Sequence, residues 1–305
     1  MTIFDQLVSR TIMHVPGPLV SVFARKYIAG EDLEDALDLT RTFNSDNIIT
    51  TIDVLGEFIS TRKEALYFKD RGLEVLEAIQ KTGVKANLSI KPTQMGLQLD
   101  DDFARVNIEE LVAYAQQIGN FVRIDMEDVQ CTDQTLKLYR QLRRKYPGHV
   151  GTVLQAYLRR TARDIEDLSD GPLNIRLCKG IYREPREQAF KHPEVINMNF
   201  NHCLEKLLAK GAYVGVATHD SRLVYQAMRL IERYGLLPDQ YEFQMLLGVD
   251  EEMRRIIVNQ GHRLRVYVPF GKSWLPYARR RLKENPDIAR HGLKQVLRLN
   301  QTQRR

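Results

Sequence analysis

Three consecutive arginines stand near the carboxyl end of the chain, in the stretch YARRRLKEN (277–285). If this stretch is helical, Tyr277 and Arg281 lie one turn apart, as do Arg280 and Glu284, so each pair shares a face. Guanidinium groups bind a carboxylate through two parallel hydrogen bonds, so the cluster is a candidate site for a substrate carboxylate. The alternative is a solvated basic helix face with one surface ion pair.

Further polar side chains follow or end short apolar runs throughout the chain. They are Asp53, Glu57, Lys91, Asp125, Glu127, Gln155, Tyr157, Arg176, Lys179, Thr218, His219, Glu242, Gln244 and Tyr267. A charge buried in a strand costs free energy unless it is paired, so structure alone would produce part of this pattern. Because polar residues recur at the ends of successive runs, the pattern favours one shared site.

The runs themselves are rich in β-branched and apolar residues and alternate with segments of helical periodicity. They occupy 47–57, 84–91, 121–127, 151–158, 173–180, 212–219, 241–248 and 263–271. Between the first two runs, Leu66, Leu73, Leu76 and Ile79 fall on one helical face.

Strand–helix units repeated in this way predict a closed TIM-type (β/α)8 barrel, distorted and preceded by N-terminal helices. An open doubly wound sheet is the alternative, but no GxGxxG turn follows the first run. Because such a barrel works at the carboxyl ends of its strands, we expect the polar side chains to meet there.

The chain has 305 residues, of which 43% are apolar and 28% charged, with a net charge of +6. This charge is mild for the length and does not require a nucleic-acid partner. Cys131, Cys178 and Cys203 show neither a disulfide framework nor metal-ligand spacing, which favours a reducing compartment and no metal site. We therefore expect a soluble, cytoplasmic protein.

Two parts of the chain are predicted. Residues 1–45 form a helical segment that packs on the barrel, and residues 46–305 form the catalytic barrel with a C-terminal helix. Within the first part, LVSVFARKYI (19–28) is amphipathic. It is compatible with peripheral contact to the inner face of a membrane and equally with packing over the barrel, which we favour. The oligomeric state is not predicted.

The motifs at the ends of the runs resemble those of the proline dehydrogenase family, in its short monofunctional bacterial form. The matching stretches are IDVLGE (52–57), SIK (89–91), RIDME (123–127), LQAY (154–157), RLCKGIY (176–182), ATHD (217–220), EFQMLLG (242–248), VYVPFG (266–271) and YARRRLKEN. Each is weak alone, but their order along the chain is specific. The resemblance implies a flavin enzyme that oxidises L-proline to 1-pyrroline-5-carboxylate, the first step of proline degradation, and passes electrons to a quinone.

The resemblance also implies which residues bind the substrate. They are Lys91, Leu246, Tyr267, Arg280 and Arg281. The two arginines and the lysine would hold the proline carboxylate, Tyr267 would pack against the ring, and Leu246 would form an apolar wall. Glu57 would act as a gate by pairing with Arg280.

An FAD cofactor is implied on the same grounds. The positions that match its contacts are Met126, Gln155, Lys179, Gly180, Ile181, Thr218 and His219, and the catalytic positions beside the flavin ring are Asp125 and Arg176. Two positions depart from the family, since Cys178 replaces a common valine and Ile181 a common alanine. The larger Ile181 side chain bears on the size of the pocket.

Two other functions fit some of the same residues. Lys179 on a barrel strand could form the Schiff base of an aldolase. Arg279, Arg280, Arg281 and Lys283 with the basic tail could instead bind nucleic acid or a membrane surface without catalysis. Arg176 and the arginine pair fit a flavin and a carboxylate better, so the oxidoreductase is favoured.

Overall fold

A closed barrel of eight parallel strands forms the centre of the protein. The computed structural model describes residues 26–56 and 59–284, with only the backbone of residues 282–284. The strands are β1 (Ile49–Val54), β2 (Ala86–Ile90), β3 (Val122–Ile124), β4 (Val150–Gln155), β5 (Asn174–Cys178), β6 (Tyr213–Ala217), β7 (Tyr241–Leu246) and β8 (Leu264–Phe270). Each lies within one of the predicted runs or within one residue of it, and the predicted TIM-type fold is confirmed.

Each strand pairs with the next, and β1 closes the ring by pairing with β8. The closure is the longest of these pairings, from Ile49 opposite Arg265 to Val54 opposite Phe270. Parallel strands covered by helices are buried on both faces, which is why the runs read as almost continuously apolar. The predicted runs are longer than the strands because polar residues at their ends belong to the loops at the barrel mouth.

Helices cover the outside of the barrel. They are α1 (Leu33–Ser45), α2 (Arg62–Thr82), α3 (Asp101–Gln117), α4 (Thr132–Lys145), α5 (Thr161–Asp167), α6 (Pro193–Ala209), α7 (Ser221–Arg233), α8 (Glu251–Asn259) and α9 (Trp274–Glu284). No helix in the described ranges is both long and apolar enough to cross a bilayer.

Helix α2 shows how local sequence sets the ends of an element and how packing chooses its face. The Thr61 side chain accepts a hydrogen bond from the Glu64 amide, the Glu64 side chain bonds back, and Gly83 ends the helix in a left-handed conformation. Leu76 and Ile79 are buried as predicted, but Leu66 is 42% exposed. The buried face runs through Ala65, Gly72, Val75, Leu76 and Ile79, so it is rotated away from Leu66.

The part before the first strand packs on the barrel wherever it is described. Buried side chains of α1, among them Leu37 and Phe43, belong to the main core. Residues 26–30 run beside the end of β8, where the Ala29 amide donates to the Pro269 carbonyl at 2.9 Å. Of the amphipathic segment 19–28, only 26–28 are described; residues 1–25 lie outside the described residues.

A buried arginine occupies the lower part of the barrel interior. Nη1 of Arg123 donates to the carbonyl oxygens of Thr152 and Asn174, at 2.8 and 2.9 Å. Gly151 on β4 provides the space, since a Cβ there would overlap the Arg123 guanidinium and the Asn174 carbonyl. The glycine in this strand is therefore explained by close packing.

We expect Gly151→Ala to lower the free energy of unfolding by about 1–3 kcal/mol, because the added methyl overpacks the interior. Urea denaturation followed by circular dichroism measures the change. Gly171→Ala is the matched control, since a Cβ at Gly171 meets nothing within 4 Å. Equal stability of the two variants would contradict this account of the barrel interior.

Candidate active site

A cavity of about 660 Å³ opens at the carboxyl ends of the strands, where a barrel of this type places its active site. The predicted site residues that line it are Lys91, Asp125, Met126, Gln155, Arg176, Lys179, Gly180, Ile181, Thr218, His219, Leu246, Tyr267, Arg280 and Arg281. Glu57, the predicted gate, lies outside the described residues. The structure thus brings together all the other predicted site residues.

The arginines reach the cavity because α9 follows β8 directly and lies against its mouth. Arg281 is only 5% exposed, and its guanidinium carbon lies 5.4 Å from the centre of the Tyr277 ring. Tyr27, Leu55 and Tyr277 form a small apolar cluster that fixes this helix on the barrel. The arrangement differs from a solvated basic face, which would leave the guanidinium in water.

Lys91 is paired inside the protein. Its Nζ donates to both carboxylate oxygens of Asp53, at 2.9 and 2.8 Å, and Asp53 is fully buried. Burial alone would lower the pKa of Lys91, but the carboxylates of Asp53, Asp125 and Glu127 together outweigh it and raise that pKa above its usual value. The Tyr267 hydroxyl also interacts with the Asp53 carboxylate. One buried carboxylate therefore orients two predicted substrate contacts.

A second ion pair lies on the cavity floor. Nη1 of Arg176 donates to Oδ1 of Asp125 at 2.6 Å, and the Ser89 hydroxyl donates to the same oxygen at 2.8 Å. Nε of Arg176 donates to Oε1 of Gln244 at 2.5 Å. A guanidinium has five N–H donors, so these contacts hold the group in place and leave donors for a ligand.

His219 lines the cavity as a neutral imidazole. Its Nε2 accepts a hydrogen bond from the Leu246 amide at 2.9 Å, which leaves the proton on Nδ1. Burial lowers the pKa of His219 to about 4, and the positive charge of Arg281 contributes to the lowering. The residue is suited to donating a hydrogen bond from Nδ1 and not to holding a proton as a cation near neutral pH.

Lys179 stands at the rim and is also paired. Its Nζ donates to Oδ2 of Asp220 at 2.7 Å, and the Asn197 side chain donates to the same oxygen at 2.9 Å. A Schiff-base lysine needs a desolvated amine without a carboxylate partner. The geometry therefore disfavours the aldolase alternative and leaves Lys179 as a cation at the cavity rim.

Two features of the cavity fit a flavin cofactor. Gln155 is 3% exposed and donates through Nε2 to the Met126 and Glu127 carbonyls, while its Oε1 is buried without a described hydrogen-bond partner. Such an acceptor suits an imide N–H of a ligand. Gly180 also lines the cavity, and only glycine fits there, because its φ is 102° and a Cβ would overlap the Tyr157 ring behind it.

Some lining residues were not predicted as site residues. Tyr182 and Tyr277 line the cavity, as do Glu127, Cys178, Asp220 and Gln244. Tyr182 is the last residue of the matched stretch RLCKGIY, and helical spacing pairs Tyr277 with Arg281, so the sequence signals were present. Three described residues of the strand-end pattern do not line the cavity: Asp53 is fully buried beside Lys91, Glu242 is deeper in the barrel and Tyr157 lies behind Gly180.

Comparison with known proteins agrees with this geometry. A sequence model of the family described as proline dehydrogenase matches residues 36–291. Proline dehydrogenase 1 of Bacillus subtilis is 35% identical over 274 residues, covering 90% of both chains. Proline dehydrogenase of Deinococcus radiodurans is 34% identical over 295 residues, covering 92% of this chain and 95% of the relative.

A solved structure is similar in fold as well. Proline utilization A from Bdellovibrio bacteriovorus, inactivated by N-propargylglycine, superposes with a TM-score of 0.83 at 25% identity. The match covers 87% of this chain and spans about a third of that longer chain. With a family match over most of its length and relatives of its own size, this chain belongs to the proline dehydrogenase family.

Proposed function

We propose that this protein oxidises L-proline to 1-pyrroline-5-carboxylate by hydride transfer to a bound FAD, and passes the electrons to a quinone. The observation that carries the proposal is the composition of the cavity. Arg280 and Arg281 lie on the α9 side, and the Asp125–Arg176 pair lies on the floor. Family membership and the match in length to two proline dehydrogenases support the same reaction.

The arginines of α9 are the groups that would bind the substrate carboxylate. Arg280 and Arg281 line the cavity together with Lys91, which Asp53 holds in place, so three cationic side chains line this space. A carboxylate held by guanidinium forks is fixed in orientation as well as position. Orientation of this kind contributes several kcal/mol to a reaction, up to about 7–11 in ideal cases.

The same positive charge acts on the amine. A protonated amine cannot donate its lone pair as the C=N bond forms, so the substrate must lose a proton before oxidation. Nearby guanidinium groups and removal from water both disfavour the ammonium form. The cavity therefore binds the acid end of proline and at the same time promotes the neutral amine.

FAD, when bound, supplies the hydride acceptor. Gln155 would hold it through the buried amide oxygen, Gly180 through the accessible backbone, and Lys179 and Thr218 through polar contacts at the rim. Arg176 would stabilise negative charge near the floor, and Asp125 would keep that arginine in place. Tyr267 would support the substrate ring, because Asp53 fixes its hydroxyl.

The electron acceptor and location are proposed from the family. A quinone is apolar and membrane-dissolved, so the enzyme would meet it at the inner face of a membrane without crossing it. Ile181 is 49% exposed at the cavity rim and presents apolar surface there. The binder alternative accounts less well for Arg281, because a nucleic-acid or lipid contact needs its charges on the surface.

The purified protein is expected to be yellow and to lose its flavin absorbance when proline is added without an acceptor. A quinone analogue should restore the absorbance, which shows that the electrons move onward. A colourless protein that borohydride inactivates in the presence of a keto substrate would support the aldolase instead. Absence of both flavin and proline turnover would reject the proposal.

Replacing Arg280 by methionine should raise the KM for proline about 100-fold or more, because one guanidinium contact to the carboxylate is lost. The amount of bound flavin should stay the same. Arg279→Met is the matched control, since Arg279 is the neighbouring residue on α9 and does not line the cavity. Loss of flavin with an unchanged KM in Arg280→Met would place that residue at the cofactor instead.

His219 should make stability depend on pH. In the unfolded chain a histidine binds a proton below about 6.5, whereas in the folded protein the pKa is about 4. The stability that the neutral imidazole contributes is therefore present above pH 6.5 and is lost as the pH falls from 6.5 to 4, by up to about 3 kcal/mol. Denaturant titrations of wild type and His219→Gln across this range should show a flatter profile for the variant; parallel profiles would contradict the assignment.

A further inference from the structure

We propose that Gln244 is a positioning residue that orients the Arg176 guanidinium, and that Glu242 below it and Gly215 beside it make this orientation possible. Neither the family motifs nor the predicted site residues give these three residues a role. The inference rests on the proposed function, because it concerns the arginine placed at the flavin. The contacts of these residues run from the barrel interior to the cavity floor.

The three strands that carry these residues lie side by side. Arg176 on β5 is opposite Gly215 on β6, and Gly215 is opposite Glu242 on β7. Arg176 and Gln244 thus meet across an intervening strand. They can do so because Gly215 has no side chain: a Cβ there would overlap the Gln244 amide. The absence of a side chain at Gly215 thus leaves space for the contact between Arg176 and Gln244.

Glu242, which lies deeper in the barrel, sets the orientation of the Gln244 amide. Its Nε2 donates to Oε1 of Glu242, a carboxylate that can only accept a hydrogen bond when it is ionised. The amide oxygen must then face the other way, where it accepts from Nε of Arg176 at 2.5 Å. With the amide reversed, an N–H group would face the arginine N–H, and neither group would be satisfied.

Glu242 is itself held as an anion in a fixed place. It is 1% exposed, and both of its oxygens accept from Arg265, at 2.7 and 3.0 Å. The Tyr213 hydroxyl donates to Oε2 at 2.9 Å. Burial alone would raise the pKa of Glu242, but Arg265 and the Gln244 amide outweigh it and lower that pKa to about 2. The amide therefore has a permanent acceptor beneath it.

Gln244 lies between two ion pairs and hydrogen-bonds to one member of each. Arg265 and Glu242 form the lower pair, and Arg176 and Asp125 form the upper pair on the cavity floor. A carboxylate at position 244 would place a second negative charge beside Glu242 and weaken the positive field of Arg176. A neutral amide fixes the direction of Arg176 without adding a second anion beside Asp125.

The test uses two flavin-loaded variants, Gln244→Met and Gly215→Ala. Methionine has a similar length but cannot accept from Arg176, and the alanine methyl pushes the Gln244 amide aside without touching backbone. Both should lower the rate of flavin reduction by proline about 10- to 100-fold. Both should also shift the reduction potential of the bound flavin to more negative values. The KM for proline should stay within about twofold, because the arginines of α9 are unchanged.

Matched controls make the same chemical changes away from the cavity. Asn107→Leu removes a buried amide that donates to the Met95 carbonyl, and Gly72→Ala adds a methyl against Leu111. These controls should lose stability like the test variants but keep the wild-type flavin potential and reduction rate. The potential is thus the readout that a purely structural role would not change.

The outcomes separate the two proposals. If wild type binds no flavin or does not oxidise proline, the proposed function fails. If wild type is active and both test variants keep its potential and reduction rate, only the positioning role of Gln244 is overturned. Should Gln244→Met fail to fold, Gly215→Ala decides alone, because its methyl meets only the end of a flexible side chain.

Discussion

Burial of charge inside the barrel constrains the arrangement of the whole cavity floor. Asp53, Arg176 and Glu242 are all removed from water, and an unpaired charge in such a place would cost several kcal/mol. Each is matched by an opposite charge on, or directly after, another strand: Lys91, Asp125 and Arg265. Pairing across strands fixes the side chains at the carboxyl ends of the barrel before any ligand binds. The cost of burial thus becomes a source of preorganisation.

This pairing also decides how the cations at the ends of the strands are held. Lys91 looks like a cation for the substrate carboxylate when it is read along the chain, yet its ammonium is held by Asp53. Asp53 fixes the position of Lys91 at the cavity wall, and contact of Lys91 with a substrate carboxylate stays a prediction. Arg280 and Arg281 come from α9, outside the strands, and bring two further guanidinium groups to the same cavity. A carboxylate is drawn to one end of the cavity, and the redox group would lie over the other.

The helix that carries these arginines depends on the start of the described chain. Tyr27 and Ile28 pack with Leu55, Tyr277 and Ala278, so the segment before α1 supports α9 at the barrel mouth. The Gly271 amide, donating to the Gly30 carbonyl at 3.0 Å, ties the segment to the β8–α9 turn. Residues distant in sequence therefore together hold the long side chains of Arg280 and Arg281 over the cavity.

The sequence alone determined the number and order of the strands, because buried parallel strands are continuous apolar runs and the helices between them have a different period. It also identified the cavity residues, since polar groups at the ends of such runs meet at one edge of the barrel. Tertiary structure alone decided which charges are paired and how deep each lies. Glu242 and Gln244 both point inward by the alternation of a strand, but the stagger of the strands places one in the interior and the other at the floor. Arg176 reaches Gln244 through the space left by the absent side chain of Gly215. That space exists only when β5, β6 and β7 are in register, because it is formed by residues of all three strands.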